Sequence, residues 1–327
     1  MSRLQDSRFA RAFGLDVPVA LAPMALASGG ALAAACSRAG ALGLVGGGYG
    51  ELAWTQREYA LAVQSGVRER IGCGFITWKL DEDASALDWV LDQQPRALML
   101  SFGDPRPYAR RIAASGAALI CQVQRLDQLP AAIEAGAQVV VAQGSEAGGH
   151  GMSGLNARAT FTLVPEMADW LAAHGADTLL LAAGGVADGR GLAAALVLGA
   201  DGALVGTRLW ASAESLASAA AKQQAVIARG DDTARTAIFD VLRRKNWPAM
   251  FDFRALRNEL HRRWEGRIEE LRSSPDAARA DYEAGVAAAD FSRAHVTVGE
   301  ATGLVRDVPP AAQIIERMAR DATRLLG

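Results

Sequence analysis

The stretch TLLLAAGGVADGRGLAAALVLGADGALVGTRL, residues 178–209, contains two short apolar runs on either side of an alanine-rich segment. The runs at residues 178–182 and 202–205 are apolar throughout, which predicts parallel strands that are covered on both faces. Residues 189–198 have the composition of a helix, and Asp188 stands at its expected start. The stretch therefore predicts a strand–helix–strand unit in which glycines follow each strand.

The same pattern recurs along the chain before this stretch. Six further apolar runs predict strands at residues 17–22, 42–45, 70–76, 97–100, 117–123 and 138–142. Helical segments are predicted between most of them, for example at residues 28–39, 126–135 and 164–174. Eight such units within about 200 residues favour a (β/α)₈ barrel of the TIM type, and an open doubly wound sheet is the alternative.

The composition changes after Trp210. Residues 212–230 predict one long helix, and residues 233–301 are richer in charged and aromatic side chains with helical spacing. We interpret residues 216–309 as a smaller, mainly helical insertion or second domain, either a lid or a dimer surface. Residues 1–215 would form the barrel, which an amphipathic helix at residues 310–327 would close.

The bulk properties exclude several classes of protein. The 327 residues carry a formal net charge of −2, which offers no electrostatic basis for binding nucleic acid or an anionic membrane. The apolar runs are too short and too often interrupted to span a membrane, and the N-terminus lacks a signal-peptide core, so we expect a cytoplasmic protein. Cys36, Cys73 and Cys121 lie far apart in apolar contexts, which indicates buried thiols rather than a metal site.

In a barrel, active sites form at the carboxyl ends of the strands. Four clusters follow predicted strands directly and should meet at one mouth: residues 22–24, 143–151, 183–185 and 206–208. Gly184-Gly185 and Gly206-Thr207 stand at consecutive strand ends, where exposed backbone N–H groups and a hydroxyl predict a phosphate site. Either glycine pair alone would also fit a tight turn.

The segment AQGSEAGGHG, residues 142–151, places a histidine in one of these loops. His150 is therefore the candidate catalytic base or electrostatic partner, with a structural hydrogen-bonding role as the alternative. We expect Glu146 to orient a neighbouring loop. His174 falls at a helix end and His261 on a solvated helix face, while His295 carries little signal.

Five segments in the expected order make the chain resemble the nitronate monooxygenases, formerly 2-nitropropane dioxygenases, which are FMN-dependent (β/α)₈ enzymes. The matching segments are APMALASGGALAAACSRAGALGLVGGG (22–48), GCGFITW (72–78), AQGSEAGGH (142–150), AAGGVADGRGLAAALVLGADGALVGTRLWASAES (182–215) and NWPAMFDFRALRNELHRRWEG (246–266). The third segment is highly specific, although flavin-dependent enoyl-acyl-carrier-protein reductases share a close variant.

The resemblance implies a role for each matching position. Backbone at Ala22, Pro23 and Met24 would lie against the isoalloxazine, Gln143 and Gly148 would contact the flavin or its ribityl chain, and Gly184, Gly185, Gly206 and Thr207 would hold the phosphate. His150 would be catalytic, and the loop glycines would let flavin and substrate approach the backbone. Two positions depart from the pattern: Gly74 replaces an asparagine of many relatives, and Gln122 stands near where some carry a basic residue beside the flavin.

The implied reaction is oxidation of a nitronate, or of a nitroalkane, by O₂ to a carbonyl compound and nitrite. A nitronate is already a carbanion equivalent, so it needs an electron acceptor rather than a strong base. An NAD(P)H:quinone reductase, an enoyl-thioester reductase and a non-catalytic flavin-binding protein are the alternatives, and a homodimer stays open. Trp54, Trp78 and Trp210 would either wall an apolar pocket or pack in the core.

Overall fold

The computed structural model describes residues 4–327, so residues 1–3, on which part of the signal-peptide expectation rests, lie outside it. Eleven strands are present: β1 (Val19–Leu21), β2 (Gly43–Gly48), β3 (Ile71–Ile76), β4 (Ala97–Ser101), β5 (Ala118–Val123), β6 (Val139–Gln143), β7 (Gly149–Met152), β8 (Leu179–Ala183), β9 (Gly202–Val205), β10 (Thr233–Thr236) and β11 (Phe251–Leu256). Eight of them form one parallel sheet in the order β1-β9-β8-β6-β5-β4-β3-β2. All eight were predicted to within three residues at each end.

The sheet closes into a barrel. Strand β1 pairs in parallel with β9, where Leu21 lies opposite Val205. On its other side, Ala20 forms a parallel bridge with Leu42, which precedes β2. The first strand therefore joins the two ends of the sheet, and the open doubly wound alternative is wrong.

The helices alternate with the barrel strands and then continue into the insertion. They are α1 (Arg8–Phe13), α2 (Gly30–Arg38), α3 (Leu52–Ser65), α4 (Thr77–Leu80), α5 (Ser85–Asp92), α6 (Arg106–Ser115), α7 (Leu129–Glu134), α8 (Thr160–Ala173), α9 (Gly189–Val197), α10 (Thr207–Trp210), α11 (Ala219–Ile227), α12 (Ile238–Leu242), α13 (Glu259–Trp264), α14 (Ile268–Ser273), α15 (Asp276–Ala287) and α16 (Ala311–Leu326). Helix α16 packs against α9 and α2.

The core has two apolar layers, one inside the barrel and one between the strands and the helices. Side chains such as Leu44, Met99 and Val141 fill the inside, while Phe9 and Phe13 of α1 pack against that layer. Helix α1 was not predicted. Because both faces of each strand are buried, the strands read as continuous apolar runs. All three cysteines are buried thiols, as predicted.

The second region is mainly helical, as predicted, but one prediction for it is wrong and its strands were not predicted. The long helix expected at residues 212–230 is limited to α11, because the Ser218 side chain caps it by accepting from the Ala221 amide. The insertion is also not free of strands: β10, β11 and β7 form an antiparallel sheet in which His150 lies opposite Phe253. The sheet ties the insertion to the loop after β6, and the division at residue 215 stays a prediction.

Among residues 4–327, no helix combines the length and apolar character that crossing a membrane requires.

Candidate active site

A cavity of about 530 Å³ opens at the carboxyl ends of the barrel strands, a volume typical of small-molecule sites. The structure brings every predicted site residue to its wall: Ala22, Pro23, Met24, Gly74, Gln122, Gln143, Gly148, His150, Gly184, Gly185, Gly206 and Thr207. The insertion supplies the opposite wall, so the cavity lies between the barrel mouth and the second region.

The glycines of the loop after β6 permit close packing of one segment against another. A Cβ on Gly148 would lie 2.5 Å from the backbone of Val298 and Gly299, and one on Gly144 would lie 2.0 Å from the Thr160 hydroxyl. Both distances are shorter than any real Cβ contact, so side chains are excluded at these positions. Packing within the protein therefore requires glycine at these two positions, whether or not a ligand also approaches their backbone.

Arg235 holds the same loop from the insertion side. Its guanidinium donates to the carbonyl oxygens of Ala147 at 2.6 Å, Asp252 at 2.7 Å, Gly149 at 2.9 Å and Ser145 at 3.3 Å. Burial lowers the pKa of Arg235 to about 10, which still leaves it charged at neutral pH. A buried cation that satisfies four carbonyls fixes the position of the residues before His150.

Two predicted polar side chains also position the loop. The Glu146 carboxylate accepts from the Thr160 amide at 3.0 Å and from its hydroxyl at 2.9 Å, which is the orienting role expected of it. The Gln143 amide donates to the His150 carbonyl at 3.1 Å and accepts from Gln124 at 3.0 Å. Gln143 therefore fixes the backbone of His150, whatever else it contacts.

The ends of β8 and β9 form an open cradle. Gly184 and Gly185 have φ of +101° and +75°, a left-handed backbone that favours glycine. A Cβ on Gly206 would be in ordinary van der Waals contact with Ala22 at 3.7 Å and Met24 at 3.8 Å, so packing within the protein does not require glycine there. The Asp188 side chain caps α9 by accepting from two of its amides. The candidate phosphate site is thus built from the glycine backbones and the start of α10. Two amides in the first turn of α9 already donate to Asp188 and are not available to a phosphate.

The residues present fit the flavin that the resemblance implies. The Thr207 hydroxyl oxygen accepts from the Gly299 amide at 2.9 Å, which leaves its hydrogen to donate into the cavity. The side-chain nitrogen of Gln122 is buried without a hydrogen-bond partner among the described residues and belongs to the cavity wall. An orphaned buried donor of this kind is satisfied by a ligand acceptor. At Gly74, a Cβ would lie 2.3 Å from the Pro23 ring, so Pro23 occupies the space that a side chain at this position would need.

His150 lies in β7 and is buried in the cavity wall. Its Nε2 is 2.9 and 3.0 Å from the two carboxylate oxygens of Asp240, a residue 90 positions away. Burial lowers the pKa of His150 to about 4 against the opposing effect of Asp240. The imidazole is therefore neutral at pH 7, donates Nε2–H to Asp240 and keeps its lone pair on Nδ1.

Aromatic side chains enclose His150. Its ring stacks on Trp247 with centroids 3.4 Å apart and an angle of 10° between the planes. Trp210 lines the cavity, which is one of the two alternatives left open for it, and Trp78 packs edge-on against Trp247. Trp54 packs against the outer barrel core, which is the core-packing alternative.

Of the other histidines, one matches its prediction, one does not, and for the third the sequence predicted no role. His174 caps the end of α8, as predicted. His261 is 2% exposed rather than solvated, because α13 packs into the apolar core of the insertion. His295 lines the cavity, accepts or donates a 2.7 Å hydrogen bond with the Tyr282 hydroxyl, and has its pKa lowered to about 3 by burial.

Sequence reasoning missed the insertion's contribution to the site: Asp240, Arg243, Trp247, Tyr282 and His295. One signal was available for Asp240, which is a lone acid within the apolar run Ile238–Leu242. A buried acid of this kind needs a partner. A pattern that resembles a solvated helix surrounds Arg243, Trp247 and Tyr282, and His295 lies in an irregular stretch.

Comparison with known proteins gives consistent matches. Residues 51–321 match the family described as nitronate monooxygenase. The chain is 35% identical to the nitronate monooxygenase npaC of Metarhizium robertsii, over 93% of this chain and 90% of the relative, and 30% identical to a nitronate monooxygenase of Neurospora crassa, over 92% and 88%. Its structure resembles that of FabK from Thermotoga maritima, with a TM-score of 0.83, 27% identity and coverage of 98% and 97%.

Proposed function

The chain belongs to the nitronate monooxygenase family, and on this basis we propose that it oxidises alkyl nitronates with O₂ to a carbonyl compound and nitrite. The observation that supports the proposal is the presence, in one cavity, of a glycine cradle at the ends of two strands and a buried neutral histidine that donates to Asp240. A nitronate needs no strong base, and an imidazole with a pKa near 4 is a weak one. The site therefore favours a preformed nitronate over a neutral nitroalkane.

The cofactor of this family is a flavin, and we propose FMN, because the described residues offer one cradle for a phosphate. Gly184, Gly185, Gly206 and Thr207 would hold that phosphate, and Gln122 would donate to an acceptor on the ring. When bound, FMN supplies the electron acceptor that the oxidation requires. The chain's own residues then determine which substrate reaches it and in which protonation state.

His150 would act in two ways on the substrate. Towards a nitronate, it supplies a polar, uncharged neighbour in an aromatic enclosure that limits access of water. Towards a neutral nitroalkane, its Nδ1 lone pair would accept the α-proton, and Asp240 would stabilise the imidazolium that forms. Asp240 is therefore a positioning residue, since it acts through His150.

The proposed function is tested by oxidation of a preformed butyl nitronate in air. We expect nitrite and butanal to accumulate together while O₂ is consumed. Turnover of the nitronate without nitrite would contradict the proposal, as would an absence of turnover in protein that carries its full complement of flavin.

Asp240→Asn should lower kcat/KM for neutral 1-nitrobutane by about 10- to 100-fold, the worth of a hydrogen bond to a charged group. The carboxylate raises the pKa of His150, so its removal lowers that pKa further. The acid limb of the pH profile of kcat/KM should therefore move to lower pH. The measurement is this profile in wild type and variant, with flavin content determined in each.

The matched control is Asp281→Asn, which removes an insertion carboxylate that pairs with Arg263 and Arg293 outside the cavity. This control should leave the pH profile of kcat/KM unchanged. If Asp240→Asn reduced flavin content or stability without moving the acid limb, Asp240 would be a structural residue and not a positioning residue.

A further inference from the structure

The guanidinium of Arg243 is a cation in the cavity wall that the proposed reaction has not yet used. Arg243 follows α12 in the insertion, and it is the sole lysine or arginine among the described residues that line the cavity. No carboxylate of the described chain lies within ion-pairing distance of its guanidinium, whereas neighbouring Arg244 pairs with Glu283 at 3.1 Å. Its Nη1 atom is buried without a hydrogen-bond partner in the same part of the chain.

A buried guanidinium nitrogen without a partner is costly, because arginine cannot shed its proton to relieve the desolvation. Its neighbours do not neutralise it. Its Cζ lies 4.6 Å from the ring centroid of Phe253, and it approaches the hydroxyl of Tyr49, whose remaining contact is the Trp247 indole at 3.0 Å. The one buried acid in this region, Asp240, already accepts from His150.

Arg243 stands next to the reaction centre. The Phe253 ring that it covers lies 4.9 Å from the His150 ring and 5.7 Å from the His295 ring. His295 is held by Tyr282, and the charge of Arg243 helps to keep His295 uncharged. Arg243 is therefore the one cationic side chain in the described cavity wall, and a single aromatic side chain separates it from His150.

The phosphate of a flavin is not the missing partner. The cradle for it lies at the ends of β8 and β9, whereas Arg243 contacts Tyr49, which follows β2, and Phe253 in β11. Arg243 therefore belongs to the part of the cavity wall that the insertion supplies, and not to the cradle.

We propose that Arg243 binds the planar oxyanion of the substrate, the group that a nitronate and a carboxylate share. A guanidinium presents parallel N–H donors that match two coplanar oxygens, and it retains its charge at every pH of interest. The assignment rests on the proposed function for the identity of the substrate. The anion is either the nitronate group itself or a carboxylate elsewhere on the molecule.

The test compares two nitronates of equal length in wild type, Arg243→Gln and Arg243→Lys. One is butyl-1-nitronate and the other is the nitronate of 4-nitrobutanoate, in which a carboxylate replaces the terminal methyl. Arg244→Gln is the matched control, since it removes an equal charge from the exposed adjacent residue. Binding of butanoate to the flavin-loaded protein, measured by titration calorimetry, provides a readout that does not depend on turnover.

We expect Arg243→Gln to weaken butanoate binding and to lower kcat/KM by about 10- to 100-fold, mainly through KM, with Arg243→Lys intermediate because it keeps the charge but loses the paired donors. Equal losses for both nitronates assign the guanidinium to the nitronate group. A loss confined to the 4-nitrobutanoate substrate assigns it to a second anion. If Arg243→Gln does not fold, Arg243→Lys carries the comparison.

The assignment would be overturned if Arg243→Gln lost no more kcat/KM and butanoate affinity than Arg244→Gln does. It would also be overturned if Arg243→Gln folded but no longer retained flavin. If wild type fails to oxidise either nitronate, the proposed function falls. The butanoate titration would then still decide whether Arg243 binds a planar oxyanion.

Discussion

His150→Asn should retain bound flavin and lose most of its activity on neutral nitroalkanes. The cradle and ring contacts come from other loops, so the cofactor does not depend on the imidazole. Removing a positioned base typically costs about 10²–10⁴-fold, and we expect kcat/KM for 1-nitrobutane to fall within that range. The fall in kcat/KM should be smaller for butyl-1-nitronate, because this substrate has no α-proton left to abstract. Only the interaction of the imidazole with the anion is then lost.

The measurement is kcat/KM for the nitroalkane and its nitronate at one pH, in wild type and variant. His174→Asn is the matched control, since His174 lies at the exposed end of α8. Equal losses for both substrates would remove the base role and leave an electrostatic one. No loss for either would mean that His150 is structural and that the reaction centre lies elsewhere.

Gly185→Val should abolish flavin retention. The residue has φ of +75°, and its nearest obstacle to a Cβ is the Glu146 side chain at 3.8 Å, so a valine would project into the open cradle. The substitution would fill the space where a phosphate meets the backbone. It also forces a β-branched residue into the left-handed region, which costs of order 1–3 kcal/mol in stability.

Gly116→Val separates these two effects. Gly116 has φ of +78°, no atom near its Cβ position and no place in the cavity wall, so it should suffer the strain and keep its flavin. The readout is the flavin-to-protein ratio, with the flavin released by acid and identified by chromatography. Wild type should release FMN. FAD as the sole flavin, or normal retention by Gly185→Val, would contradict the single-phosphate cradle.

The barrel was predictable because its strands are buried on both faces and therefore appear as unbroken apolar runs. The insertion sheet was not, although β11 carries the expected alternation: Phe251, Phe253 and Ala255 are buried, and the residues between them are not. The surrounding Arg/Glu pairs obscured it. Its partner β10, Thr233–Thr236, has no apolar pattern, and β7 lies in a loop that only the tertiary pairing turns into a strand.

The candidate site also has a part that could be predicted from the sequence and a part that could not. Residues at strand ends and in the loops after them were predictable, because the fold fixes where strand ends meet, and the family resemblance added Gly74 and Gln122. All twelve predicted site residues line one cavity. The partners of His150 were not, because Asp240 is 90 positions away and Trp247 belongs to a segment that resembles a surface helix. No local pattern encodes a contact between a barrel loop and an insertion, so these residues required the structure.

We propose that the site takes a nitronate rather than a nicotinamide as its electron donor. The most direct test is stopped-flow absorbance of the flavin-loaded protein without oxygen, mixed separately with butyl-1-nitronate, NADH and NADPH. We predict rapid loss of the visible flavin absorbance with the nitronate and slow or no loss with either nicotinamide. Rapid bleaching by NADH or NADPH, with little response to the nitronate, would contradict the claim and favour a reductase.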